Sequence, residues 1–127
     1  MRLAEHQILA RFVNVFFVVC LIVVVGGCLL PGSSPVLNAI DKLPLTDKEM
    51  HFGAYFVLSF LAALGHRNLR TAILYAIGLA VIGAAVELIQ NFVPGRSPEL
   101  LDEVANVTGI LFGSLLGRLA ATKIALS

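Results

Sequence analysis

Charge is scarce in this sequence. Asp, Glu, Lys and Arg make up 13% of its 127 residues, where a soluble domain usually carries about 25%. That leaves too little polar surface to clothe a globule in water, and 58% of the chain is hydrophobic. An excess of one sign is also missing. The net charge is +1, so no electrostatic footprint for nucleic acid exists. Cysteine is limited to Cys20 and Cys28, both in the first apolar stretch. Along one helix they stand roughly 12 Å apart, out of disulfide reach, and read as small buried hydrophobes. No HExxH, nucleophile elbow or phosphate-cradling glycine loop is present. The length fits one domain, 1–127.

What remains is apolar sequence in pieces long enough to cross a bilayer, about 20 residues each. The first runs over 12–30 without a charge. Its Val25-Gly26-Gly27-Cys28 also has the look of a lipoprotein cleavage site, but the apolar run continues through Leu30 and the rest of the chain is equally apolar. A membrane helix is therefore the expectation. The second, 47–66, opens on Thr46-Asp47-Lys48-Glu49, a capping box flanked by Leu45 and Met50 as a hydrophobic staple. The third, 71–93, stops at Pro94-Gly95. The fourth, 98–121, follows Ser97 as N-cap and Pro98 at the first helical position. The predicted fold class is thus an all-α membrane protein, a bundle of four transmembrane helices.

Lys and Arg in the short connections set the orientation. Arg2, Arg11, Arg67, Arg70, Arg118 and Lys123 fall on the side of both termini; Lys42, Lys48 and Arg96 fall on the other. Both termini are expected in the cytoplasm, with the 31–46 segment and the Pro94–Ser97 turn outside.

Ionisable residues inside a span are costly and turn toward protein. Asp102, Asn106, Gly109, Gly113 and Gly117 share a narrow stripe at 100° per residue, and the glycines form a small-residue seam of the kind that lets membrane helices approach closely. On the third helix Ala72, Ala76, Ala80 and Ala84 make a second seam, extended by Glu87, Gln90 and Asn91. Glu87 is expected roughly 9 Å inside the span, six residues before Val93. Asp47, His51 and Tyr55 recur every four residues on the second helix, and Arg96 in the tight turn is the expected partner of Glu87 or Asp102. The ordinary readings differ. Asp47 suits a helix N-terminus, His51 and Tyr55 suit the membrane interface, Asn106 suits an interhelical hydrogen bond, and Glu87 with Arg96 suits a structural ion pair. Their gathering at one level of three helices favours a functional cluster.

The ordered set Asp47-Lys48-x-x-His51-Phe52-x-x-Tyr55, Glu87-x-x-Gln90, Pro94-Gly95-Arg96-Ser97 and Asp102-x-x-x-Asn106-x-x-Gly109-x-x-x-Gly113 resembles the VanZ-like proteins, and Pro31-Gly32-Ser33-Ser34-Pro35 is similar to that family's exit from helix 1. The resemblance implies a small multi-pass protein of the bacterial cytoplasmic membrane and cell envelope. The family is named for a member linked to teicoplanin resistance, which brings antibiotic resistance into view.

Three functions are compatible with these residues. In the first, an outward pocket binds an amphiphile, such as a lipid head group, a lipid-linked cell-wall intermediate or a lipoglycopeptide tail. Asp47, Lys48, His51, Tyr55, Glu87, Gln90, Arg96, Asp102 and Asn106 form it, Arg96 forks onto phosphate or carboxylate, and Glu87 and Asp102 hold Arg96. In the second, an intramembrane enzyme uses His51, Glu87 and Asp102 as acid and base, or as ligands of a catalytic metal, with Ser97 the one candidate nucleophile. In the third, the membrane acids serve small-solute transport, for which no polar path continues through the other half. The first is preferred, with no metal or cofactor. A homo-oligomer stays open.

Overall fold

The computed structural model describes residues 3–126, so Arg2 of the charge count lies outside the described residues. Those residues are helical almost throughout: α1 Leu3–Cys28, α2 Pro35–Ile40, α3 Asp47–Gly65, α4 Leu69–Gln90 and α5 Leu100–Leu126. Among the described residues three helices, Leu3–Cys28, Leu69–Gln90 and Leu100–Ile124, are long and apolar enough to cross a membrane. The helix at Asp47–Gly65 is not one of them, because its first turns carry Asp47, Lys48, Glu49 and His51.

That more polar helix stands at the centre. α3 packs most extensively on α5, then on α1 and α4. His51, Tyr55, Leu58, Ser59, Leu61, Ala62 and Ala63 are all buried on it. Its neighbours turn large apolar side chains outward instead, among them Phe12, Ile22, Leu74, Val81, Leu111 and Leu115. An exposed apolar surface of this kind suits a lipid solvent and not water.

The glycine stripe of α5 meets α3 as its spacing implied. A Cβ at Gly109, Gly113 or Gly117 would run into the carbonyls of Phe52, Phe56 and Phe60 respectively. Both rows advance by four residues, so α3 and α5 run parallel in a fixed register with backbone against backbone.

The alanine seam of α4 is a correction. Ala72 is buried but Ala84 is exposed, and the packed face runs through Leu79, Gly83, Val86 and Gln90. A strict four-residue repeat drifts off a face that recurs every 3.6 residues, so the upper part of the contact passes to Gly83. Asn91, expected on that face, is exposed, and its side-chain amide donates to the carbonyls of Glu87 and Leu88.

Boundaries moved where side chains supply caps. Thr46 and Glu49 form both bonds of the capping box, at 3.2 and 3.3 Å. Asn68 starts α4, its side chain accepting from Arg70 N and Thr71 N. α4 stops at Gln90, three residues before the expected end. α5 begins at Leu100, not at Pro98, and Ser97 is not its cap. Asp102 reaches back to the Glu99 N–H at 3.2 Å and takes the role assigned to Ser97. α1 starts nine residues before the apolar run, since Leu3, Ala4, Glu5, Gln7, Leu9, Ala10 and Arg11 are strong helix formers whether or not lipid surrounds them. The short α2 sits within the expected loop, capped by Ser34 with Pro35 at the first position.

Candidate functional site

One end of the bundle is polar. It holds the last residues of α1 and α4, the first of α3 and α5, and the two segments 29–46 and 91–99 that join them. Gln90 Nε2 donates to the Cys28 carbonyl at 2.7 Å, and Gly32 N donates to the Pro94 carbonyl at 2.8 Å. Together these bonds strap the exit of α1 onto the exit of α4. The crossing is close enough that a Cβ on Gly32 would strike the Gly95 carbonyl, and Gly95 holds φ +74°, a conformation that favours glycine.

Under that strap lies a cavity of about 430 Å³, in the range of small-molecule sites. One part of its wall is apolar, from Val23 and Val24 of α1, Leu37 and Ile40 of α2, and Met50 and Ala54 of α3. The other part is polar: Asp41, Asp47, His51, Tyr55, Gln90, Arg96, Ser97 and Asp102.

Behind the polar wall a chain of hydrogen bonds fixes His51. Asn106, 1% exposed, donates from Nδ2 to Glu103 Oε2 at 3.1 Å. Its amide oxygen therefore faces His51 Nδ1 at 2.9 Å, and Nδ1–H is the donor. Nε2 is left as the acceptor nitrogen of a neutral ring, 3.8 Å from Asp47 Oδ1. Glu103 and Asn106 fill the space left by Gly83, where a Cβ would come within 2.8 Å of Glu103 Oε2 and 3.1 Å of Asn106 Nδ2.

Glu87 lies on the other side of His51. Its Oε1 is 4.0 Å from Nδ1, and both carboxylate oxygens are buried without a hydrogen-bond partner among the described residues. It does not line the cavity. It sits three residues, roughly 4.5 Å, from the end of α4, half the expected depth, because the helix ends early.

Cations are arranged differently from expectation. Lys48 Nζ, not Arg96, pairs with Asp102, whose side chain is 3% exposed, and also with Glu99 at 2.9 Å and Asp47 at 4.0 Å. Arg96 lines the cavity and joins none of the ion pairs among the described residues. The expected Glu87–Arg96 and Asp102–Arg96 pairs are thus absent among them. The physical reason is placement: Lys48 is in the first turn of α3, directly opposite the first turn of α5, whereas Arg96 is held beneath the strap.

All nine expected site residues fall at this end, and Asp47, His51, Tyr55, Gln90, Arg96 and Asp102 line the cavity. Glu87 and Asn106 stand behind His51, and Lys48 stands beside Asp102. Glu99, Glu103, Asp41 and the apolar wall were not anticipated. Glu103 lies about 100° off the Asp102–Asn106 stripe and reaches the site only because Gly83 leaves room. Leu37 and Ile40 depend on α2, whose Ser34-Pro35 start was the available signal.

For metal binding, the donor set is Asp47, His51 and Asp102, with ligand atoms within 4.8 Å of one another, and not the His51, Glu87 and Asp102 considered from sequence. Bonds of about 2.1 Å would require these atoms to close to about 3.4 Å. Asp102 is already engaged by Lys48 and by Glu99 N–H. The chain matches no model of a known family, no curated protein and no solved structure.

Proposed function

We propose that the protein is a VanZ-like membrane protein of the bacterial cytoplasmic membrane whose polar end faces outward and binds an amphiphile, such as a lipid or a lipid-linked envelope component. The observation that carries this reading is the two-sided cavity, with apolar wall from α1, α2 and α3 and polar wall from Asp41, Asp47, His51, Tyr55, Gln90 and Arg96. It opens at one end of an otherwise apolar bundle, where a head group and its chain would both find a matching surface. The ordered motif from Asp47 to Gly113 supports the family reading.

In this reading α3 is a fourth crossing. Its 19 residues reach roughly 28 Å, close to the hydrocarbon thickness, and its neighbours shield its polar turns. Both termini are then cytoplasmic. Topology reporters placed after Ser34 and after Gly95 should both register outside; a cytoplasmic signal at either position overturns the orientation. Native mass spectrometry of protein taken from its own membrane should detect a bound amphiphile, and its absence overturns the binding reading.

A second reading, an intramembrane enzyme, draws on one specific feature. His51 is held by Asn106 with Nε2 toward Asp47 and the cavity, the posture of a general base. If His51 is catalytic, His51→Ala should abolish turnover of the bound amphiphile while leaving its retention intact. Loss of retention alone would favour binding without chemistry.

A further inference from the structure

Two acceptors face each other in the cavity wall. His51 Nε2 carries a lone pair, because Nδ1 gives its hydrogen to Asn106, and the Asn106 amide is held in that sense by Glu103. Asp47 Oδ1 also accepts only. They are 3.8 Å apart with no hydrogen bond between them, too far for one. The arrangement lacks a donor with positive charge. Beside it Tyr55, 1% exposed, lines the same cavity with no hydrogen-bond partner among the described residues. Across the cavity Arg96 supplies a cation outside every ion pair among the described residues. The polar wall therefore has two poles of opposite need, one short of a cation and one short of an anion.

A divalent metal could meet the first need, but it would find two free ligands there. Catalytic zinc commonly takes three from the protein, and the third here, Asp102, is committed to Lys48 and the Glu99 N–H. A primary ammonium asks less, since each of its three N–H donors needs only one acceptor. A quaternary ammonium has no N–H to give, and such groups are held by aromatic cages; Tyr55 is the one benzenoid ring in this lining.

We infer that the ligand is a phospholipid with a primary-amine head group, its ammonium held between His51 Nε2 and Asp47, its phosphate on Arg96 and the start of its acyl chains against the apolar wall. This deepens the amphiphile reading and rests on it. Arg96 forks onto phosphate oxygens as guanidinium groups do. Val24, Leu37, Ile40 and Met50 take the apolar part.

The test uses the full chain in bilayer nanodiscs holding equal amounts of phosphatidylethanolamine, phosphatidylcholine and phosphatidylglycerol with identical acyl chains. Native mass spectrometry reads which lipids stay bound on release. Phosphatidylethanolamine should be retained about tenfold over phosphatidylcholine, the discrimination expected of one charge-assisted hydrogen-bonded group. Asp47→Asn should reduce that ratio to near one while total phospholipid retained stays the same. Asp47 is 64% exposed, so this variant should fold. Arg96→Gln should lower retention of all three lipids. Free O-phosphoethanolamine in millimolar excess should displace less than half of the bound lipid; complete displacement would show that the head group alone is the ligand and overturn the phospholipid assignment. Equal retention of the three lipids, or an Asp47→Asn variant with an unchanged ratio, overturns the inference and leaves the amphiphile reading standing. Retention of no phospholipid and no other amphiphile overturns both.

Discussion

The parallel seam between α3 and α5 makes a quantitative test of the fold through Gly117→Ala. A Cβ at 117 would stand 2.5 Å from the Phe60 carbonyl oxygen and 2.8 Å from Ala63 Cβ. Ordinary contact begins near 3.4 Å, so the two backbones must part by about 0.9 Å in an interior with few voids to absorb it. The obstacle is a helical carbonyl that cannot rotate aside, and overpacking of this kind costs about 1–3 kcal/mol. Ala also brings a helix-propensity gain of roughly 1 kcal/mol over Gly, which would mask part of the loss. Gly78→Ala removes that ambiguity. It lies in the interior of α4 with nothing within 4 Å of its added Cβ, so it takes the propensity gain alone. The difference between the two variants should then be the overpacking cost, about 1–3 kcal/mol with Gly117→Ala the less stable. Reversible unfolding in mixed detergent and dodecyl sulfate, followed by far-UV circular dichroism, measures it. If Gly117→Ala is as stable as Gly78→Ala, the helices do not meet backbone to backbone at this level and the register argued from Phe52, Phe56 and Phe60 is wrong.

Three further outcomes follow from the polar end. Asn106→Leu should cost about 1–3 kcal/mol, because Glu103 Oε2 loses its donor and the His51 N–H loses its acceptor in a buried site; the same unfolding assay reads it, and nitrogen-15 NMR should find a single Nδ1–H tautomer at His51 in the native protein and a mixture in the variant. Lys48→Met should lower the unfolding midpoint by stranding the buried Asp102 carboxylate, and the double variant Lys48→Met/Asp102→Asn should recover most of the loss; no recovery would mean that the pair contributes nothing. Gly95→Ala should cost about 1–3 kcal/mol for forcing a Cβ into the left-handed region, loosen the Gly32–Pro94 strap and lower lipid retention together; unchanged retention would show that the strap does not shape the cavity.

The sequence was legible where the controlling interaction is local or repeats along one helix. Thr46 and Glu49 are three residues apart, and both bonds of their capping box form. The glycine stripe needs only the helical period, and it lies against α3 as a small-residue seam should. His51, Tyr55, Asp102 and Asn106 could be brought together by assuming that four apolar runs alternate in direction. What could not be read depends on lateral placement. Lys48 and Asp102 are 54 residues apart, and choosing Lys48 over Arg96 requires knowing that the first turns of α3 and α5 face each other. The Gly83 gap is meaningful only once Glu103 is known to point at it. The end of α4 was misplaced for a similar reason. Pro94-Gly95 marks the sharpest break, but the strap onto Cys28 uses the Gln90 side chain and the helix has already finished there.

A polar site in an apolar bundle must be carried by a helix that its neighbours cover, and α3 meets that condition at the expense of its own hydropathy. It is the one long helix not apolar enough to qualify as a span, yet it has the largest set of buried residues. The cover is made possible by glycine. Because Gly109, Gly113 and Gly117 bring the α5 backbone onto the carbonyls of Phe52, Phe56 and Phe60, the stretch of α5 just before them is equally close to α3. There the chain switches from glycine to Asn106 and Asp102, and His51 and Lys48 occupy the facing turns of α3. A 2.9 Å bond from the short Asn106 side chain to His51 requires such an approach; helices separated by larger residues would put it beyond reach. The seam that reads as packing therefore sets the distance at which the site's hydrogen bonds close, so Gly109→Ala, one turn from Asn106, should release the His51 tautomer even though residue 109 touches no part of the cavity.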